Sequence, residues 1–120
     1  MKRIFLIGYM GAGKTTVGKV LSQQLGLSFI DLDHYIEGRY HKTVGQLFAE
    51  RGEEAFRDIE RRMLREVAAF EDVLVSTGGG APCFFDNIEF MNGAGQTVYL
   101  KVSVEELSLI HISEPTRLLS

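Results

Sequence analysis

The sequence predicts an α/β fold built on a parallel sheet, and three observations predict it. Compact apolar runs of strand length alternate with segments of helical period along the chain. Gly8 to Thr16, between the first such run and the first helix, reads GYMGAGKTT. The third run leads straight into Gly78-Gly79-Gly80. Strands alternating with helices imply parallel pairing through right-handed crossovers.

The elements follow in order. Lys2 to Ile7 (KRIFLI) is a β-branched and aromatic run suited to a buried strand. Thr16 to Leu25 places Val17, Val20, Leu21 and Leu25 at helical spacing. Leu27 to Leu32 (LSFIDL) reads as a second strand, with Asp31 and Asp33 at its carboxyl end, where open parallel sheets bind ligands. Short helices are expected over His34 to Arg39 and Thr43 to Glu50. In the second, Thr43 serves as N-cap, Val44, Leu47 and Phe48 form an apolar face, and Gly52 ends it. Glu53 to Phe70 is the longest helical signal, with Phe56, Ile59, Met63 and Val67 in step and Leu64 beside them. Val73 to Ser76 is the third strand, Asp86 to Met91 a short helix, and Thr97 to Val102 the fourth strand.

Residues Gly8 to Thr15 fit the phosphate-loop pattern of glycine, four residues, then Gly-Lys-Ser/Thr. The pattern has a physical reason. Gly8, Gly11 and Gly13 let backbone N–H groups approach phosphate oxygens with no Cβ in the way. Lys14 reaches the β and γ phosphates as a point charge, and Thr15 offers a hydroxyl to Mg²⁺. The following helix points its positive end at the same anion. The loop therefore predicts a nucleoside triphosphate site without saying what is done there.

Composition narrows the field. The chain has 120 residues, a single-domain length, with 45% hydrophobic and 24% charged residues, an ordinary globular balance. A formal net charge of −3 argues against a nucleic-acid-coating surface, so any cationic site is local. The one cysteine, Cys83, excludes an intramolecular disulfide and suits a reducing cytoplasm. No signal peptide is read, and no run approaches the roughly 20 apolar residues of a membrane span.

Three further constellations carry chemistry. Asp31 and Asp33, as alternate residues of a strand, are expected to share a face. Asp31 then holds a water on Mg²⁺, and Asp33 accepts the proton of an attacking hydroxyl or orients it. Either carboxylate is equally suited to cap the helix expected from His34. Arg57, in FRDIE, is either one of several solvated arginines or a fork for a substrate carboxylate, its rotamer fixed by Glu60. The glycine triplet is either a flexible turn or a backbone that approaches a ligand closely. His34, His41 and His111 lack metal-ligand spacing and read as surface or cap residues. Cys83 is expected to be buried rather than catalytic. Tyr9, Phe48, Phe56 and Phe84 either wall the site or belong to the core.

Taken together, GYMGAGKTT, FIDLD, FRDIE and STGGGAP, in this order and spacing, resemble the shikimate kinase family, over residues 1 to about 107. The resemblance implies the fold of nucleoside monophosphate kinases, a three-layer arrangement around a five-stranded parallel sheet in the order 2-3-1-4-5. It implies phosphoryl transfer from MgATP to the 3-hydroxyl of shikimate, on the route to aromatic amino acids, in a monomeric cytoplasmic enzyme with neither nucleic-acid nor membrane partner. On matching positions it implies that Gly11, Ala12, Gly13, Lys14, Thr15 and Thr16 bind ATP phosphates, that Thr15 binds Mg²⁺, and that Asp31 stands near the metal through a water. Asp33 contacts the substrate hydroxyls and is the candidate base beside Lys14. Arg57 takes the shikimate carboxylate, and Gly78, Gly79 and Gly80 lie at the substrate, with Gly79 donating from its backbone.

The likeness stops near the C-terminus. Ser103 and Glu106 mark a normal helix start, but from Ser108 the text becomes SLIHISEPTRLLS, with Pro115 in its middle. The family's lid, fifth strand and last helix have no counterpart there, and Arg117, preceded by Pro115, is given no lid role. Residues 1–107 are thus expected to form an incomplete kinase-like domain without its fifth strand, and residues 108–120 a non-native tail. Weak or absent turnover follows from that reading. The alternatives are another small-molecule kinase of this loop class, such as a gluconate kinase, and a non-catalytic nucleotide-binding fragment.

Overall fold

A computed structural model describes residues 2–8, 14–77 and 81–100. Four parallel strands form one sheet: β1 (Arg3–Gly8), β2 (Ser28–Asp31), β3 (Val73–Ser76) and β4 (Gln96–Leu100), in the order β2-β3-β1-β4. The helices are α1 (Lys14–Leu25), α2 (Leu32–Tyr40), α3 (Val44–Ala68) and α4 (Asn87–Ala94), with a 3-10 turn at Ala81–Cys83. The order agrees with the first four positions of the expected 2-3-1-4-5 sheet. The expected fifth strand and the tail fall on residues outside those described.

Strand alternation builds the layers. Ile4 and Leu6 of β1 and Leu74 of β3 turn to one face, where they pack with Val17 and Leu21 of α1. Phe5, Ile7, Val73 and Val75 turn to the other, against Leu32, Ile36, Leu47, Phe56, Ile59 and Leu64 of α2 and α3 and Met91 of α4. Both faces of the sheet are covered, which is why its strands are apolar throughout rather than alternating. Val20 departs from the expected stripe and is exposed, because α1 meets the sheet mainly through Val17 and Leu21.

Local chemistry sets the ends of the helices on the second face. Thr43 caps α3 in a full capping box: its hydroxyl accepts from the Gln46 N–H at 3.0 Å, and Gln46 Oε1 accepts from the Thr43 N–H at 2.8 Å. His41 closes α2 in the left-handed region, at φ 56°, with its N–H donating to the Glu37 carbonyl. Glu37 in turn accepts from the Val44 N–H at 2.8 Å, tying the two helices together. Gly52, at φ 85° and ψ 168°, breaks α3 into two segments where a helix stop was expected. Beyond the break, Phe56, Ile59, Met63, Leu64 and Val67 are buried as their spacing required.

Two expectations are corrected. β2 ends at Asp31 rather than Leu32, and Leu32 opens α2. Asp33 therefore lies in a helical first turn, and the two aspartates do not share a strand face. The reason is local: Asp31 is the N-cap of α2, its Oδ1 accepting from the His34 N–H at 3.2 Å. Cys83 is exposed, not buried, since the 3-10 turn directs Ala81 inward instead.

Candidate functional site

The sheet register gathers three chain segments at one place. Asp31 of β2, Ser76 of β3, Leu6 of β1 and Val98 of β4 lie in one row across the sheet. Just past this row β1 runs into the GYMGAGKTT loop, β2 into the Asp31–Asp33 turn, and β3 into the glycine triplet. Thr77 extends the pairing by one residue: it is buried, and its N–H donates to the Leu6 carbonyl at 3.0 Å. The carboxyl ends of β1, β2 and β3 thus meet, which is where a parallel sheet of this class binds its ligands.

On the nucleotide side, Gly11, Ala12 and Gly13 lie outside the described residues. Lys14 and Thr15 are placed by their backbone, as the first residues of α1, and Thr16 follows as an exposed residue of the same turn. The loop therefore leads directly into a helix N-terminus, as its chemistry requires. Gly78, Gly79 and Gly80 also lie outside the described residues, as do Tyr9, His111 and Arg117. Among the described residues, no group of three or more His, Cys, Asp or Glu side chains is arranged to hold a metal. A threonine hydroxyl and an aspartate carboxylate are nonetheless hard oxygen donors of the kind Mg²⁺ takes alongside phosphate and water.

The surroundings of Arg57 are more fully described. Arg57, in the second segment of α3, is largely withdrawn from solvent, its side chain 17% exposed, and Glu60 is more so, at 2%. Arg57 Nη1 donates to both Glu60 carboxylate oxygens, at 3.0 and 3.3 Å. The guanidinium stands among three aromatic rings, with its central carbon 5.5 Å from the centroid of Phe48, 5.7 Å from Phe56 and 4.1 Å from Phe84. Its Nε is buried and has no hydrogen-bond partner among the described residues. A buried donor left unpaired is costly, and such groups mark places where something else completes the bonding.

Asp33 belongs to the same neighbourhood. Burial pushes the Glu60 carboxyl above its ordinary pKa, the Arg57 hydrogen bond and charge oppose the rise, and the negative charge of Asp33 adds to it. The structure thus brings together Asp33, Arg57 and Glu60, from two helices, beside the carboxyl ends of the strands. Phe48 and Phe56 stack on each other at 4.6 Å between centroids. Of the aromatics left open between wall and core, Phe56 is buried core and wall at once, whereas Phe48 and Phe84 are half-buried.

The burial of Glu60 was missed by the sequence reading, although its signal was present: Glu60 lies one turn from both Phe56 and Leu64, on the apolar stripe. The contact of Phe84 with Arg57 left no local signal. A separate cleft of about 450 Å³ lies between α1, β2 and α2, lined by Lys19, Phe29, Ile30, Asp31, His34 and Tyr35. It shares Asp31 with the site, but neither Asp33 nor Arg57 is among its described lining residues.

A parallel sheet in the order 2-3-1-4, with the GYMGAGKTT motif between its first strand and first helix, defines an α/β protein of the P-loop class. Comparison with known proteins gives the family. The shikimate kinase family model matches residues 10–119. The shikimate kinase of Parabacteroides distasonis is 81% identical over 108 residues, covering 90% of this chain and 62% of that protein. The shikimate kinase of Phocaeicola vulgatus is 69% identical over 102 residues, covering 85% and 58%. A crystal structure of shikimate kinase from Bacteroides thetaiotaomicron superposes with a TM-score of 0.83 at 60% identity, over 94% of this chain and 66% of that one. Shikimate kinase from Acinetobacter baumannii, solved in complex with shikimate, gives 0.81 at 37% identity, over 99% and 72%. The chain belongs to the shikimate kinase family, and it spans about three fifths of the length of the curated relatives it matches.

Proposed function

We propose that this chain carries the phosphoryl-transfer site of a shikimate kinase, moving the γ-phosphoryl group of ATP to the 3-hydroxyl of shikimate. The observation that carries this reading is the buried, unpartnered Nε of Arg57 inside an aromatic cage, next to Asp33. A guanidinium with one edge unsatisfied is matched by a planar carboxylate, which accepts two parallel N–H bonds. Shikimate has a carboxylate on a six-membered carbon ring whose hydroxyls lie at its edge, and rings such as Phe48 and Phe56 suit the C–H face of that ring. The complex of the Acinetobacter baumannii relative with shikimate supports the same substrate.

The chain's own groups divide the work. The N–H groups around Gly11, Ala12 and Gly13, with Lys14 and Thr16, hold the phosphates of ATP. Thr15 would hold Mg²⁺ directly and Asp31 through a water, and the ion, when bound, neutralises phosphate charge. Arg57 fixes the substrate by its carboxylate, and Gly78 to Gly80, chiefly the Gly79 N–H, bind it from the backbone. Asp33 orients the 3-hydroxyl and takes its proton at a carboxylate oxygen as the new O–P bond forms. The old bond to the β-phosphate bridging oxygen breaks, and ADP leaves. Positioning and electrostatics supply most of the rate in such transfers.

We read the enzyme as monomeric and cytoplasmic, without nucleic-acid or membrane partners. Its negative net charge and single cysteine support that, and among the described residues no helix is long and apolar enough to cross a membrane. We further propose residues 1–107 as the kinase-like unit and 108–120 as a non-native tail; the family model's match, which runs on to residue 119, bears against that boundary.

The test is Asp33→Asn, assayed by coupled ADP release with shikimate and, in parallel, gluconate as acceptor. The expected outcome is weak ADP release with shikimate only, lowered further, by about 10²-fold or more, in the variant, with MgADP binding retained. Unchanged turnover in the variant, or preference for gluconate, would refute the assignment.

A further inference from the structure

Arg57 is held by groups of two kinds. Phe48, Phe56 and Glu60 lie on its own helix, α3. Phe84 does not: it follows the 3-10 turn Ala81–Cys83, and its ring is the nearest to the guanidinium, at 4.1 Å. That distance is well inside the roughly 6 Å over which a ring face attracts a cation. Phe84 thus sets its ring face beneath the guanidinium carbon, while Glu60 occupies Nη1. In a planar guanidinium, the Nε–H and one N–H of Nη2 point the same way, on the side away from the Nη1 that Glu60 takes. That side holds the unpartnered Nε. Face and edge are both spoken for except where a carboxylate would dock side-on.

Phe84 is itself held in place. Three arginines one helical turn apart on α3 each stand over a ring from the segment after the glycine triplet: Arg57 over Phe84, Arg61 over Phe85 at 5.9 Å, and Arg65 over Phe90 at 4.3 Å. Asp86 accepts from Arg61 Nε at 3.2 Å and from Arg65 Nη2 at 2.8 Å. The fully buried Asn87 donates through Nδ2 to the Ala81 carbonyl at 2.8 Å and accepts from Arg65 at 3.4 Å. The ladder lays the segment from Ala81 to Phe90 along α3 and sets the Phe84 ring against Arg57, whose buried Nε has no partner among the described residues.

We propose that Phe84 is a positioning residue of the acceptor site: its ring locks the plane of the Arg57 guanidinium so that the Nε edge is presented, already oriented, to the substrate carboxylate. This rests on the reading of Arg57 as the carboxylate-binding group. A long side chain that is ordered before binding loses less entropy when it binds, so the ring contributes affinity and selectivity for a carboxylate without touching the substrate. A half-buried ring acting only as packing would instead be replaceable by any apolar side chain of similar size.

The test is calorimetric titration of the chain and of Phe84→Leu and Phe84→Tyr with shikimate, with its methyl ester and with MgADP. Phe84→Leu keeps the apolar bulk and removes the ring face, and it is expected to weaken shikimate binding about five- to tenfold. The ester and MgADP are expected to bind as before, and Phe84→Tyr to bind shikimate within about twofold of the parent. Should Phe84→Leu fail to fold by circular dichroism, Phe84→Met takes its place. Shikimate affinity within twofold of the parent in the non-aromatic variant, or an equal loss for all three ligands, would overturn the role of Phe84 alone. A parent chain that binds shikimate no better than the ester would overturn the Arg57 assignment, and this inference with it.

Discussion

Replacing Arg57 with methionine leaves Glu60 buried without its cation, and the structure fixes how that should read out. Both Glu60 oxygens are bonded to Arg57 Nη1, and the Glu60 side chain is 2% exposed. Removing one partner of a buried pair costs about 3–5 kcal/mol; since Arg57 keeps some contact with solvent, the lower end applies, about 3 kcal/mol. In a domain of this size that lowers Tm by roughly 10–15 °C. The loss should also depend on pH. Burial already raises the Glu60 pKa and Arg57 opposes the rise, so the variant raises it further. A carboxyl whose folded pKa lies above its unfolded value contributes stability that is complete below the unfolded value and fades as pH climbs to the folded one. Within that window the slope is at most about 1.4 kcal/mol per pH unit. Urea denaturation followed by circular dichroism is therefore expected to show a larger loss at pH 8 than at pH 5. Removing the carboxylate as well, in Arg57→Met/Glu60→Leu, should recover most of the stability. An equal loss at both pH values, or no recovery in the double variant, would show that Glu60 is not the buried charge described here.

Two further outcomes follow from the packing. Gly95→Ala would bring a Cβ within 2.2 Å of the Arg3 carbonyl oxygen, which is backbone and cannot swing aside, so a loss of about 1–3 kcal/mol is expected in chemical denaturation. Thr43→Ala removes the hydroxyl half of the capping box and should lower stability by about 1 kcal/mol, measured the same way, while Thr43→Ser should keep most of it.

What was legible in the sequence was what local pattern encodes. Val73–Ser76 is a strand within the bounds its apolar run marked, and the stripe of Phe56, Ile59, Met63 and Val67 is buried as its period demanded. The phosphate-loop motif lies between a strand and a helix, as expected. Errors arose where two local rules compete. LSFIDL satisfies a strand pattern to its last leucine, but the Asp31 side chain captures the His34 N–H, so the strand ends one residue sooner and the helix begins two residues sooner. The pairing of Arg57 with Glu60 was readable from their spacing along one helix, and the burial of Glu60 from its neighbours. The Phe84 ring over Arg57 was not, because it depends on how the segment after the third strand lies along α3, and no local period records that.

The break at Gly52 has a consequence for how the acceptor wall comes into being. On an unbroken helix Phe48 and Phe56 would stand about 12 Å apart along the axis, too far for their rings to touch. In the folded chain their centroids are 4.6 Å apart. One residue at positive φ, open to glycine and strained for other residues, kinks the helix between the two rings. The wall is then a contact between sequence neighbours, with a small loop to close, and it can form ahead of the sheet. The Phe84 contact with Arg57 joins α3 to the segment after β3, a longer loop to close. Folding would thus bring Phe48 to Phe56 first and Phe84 to Arg57 last.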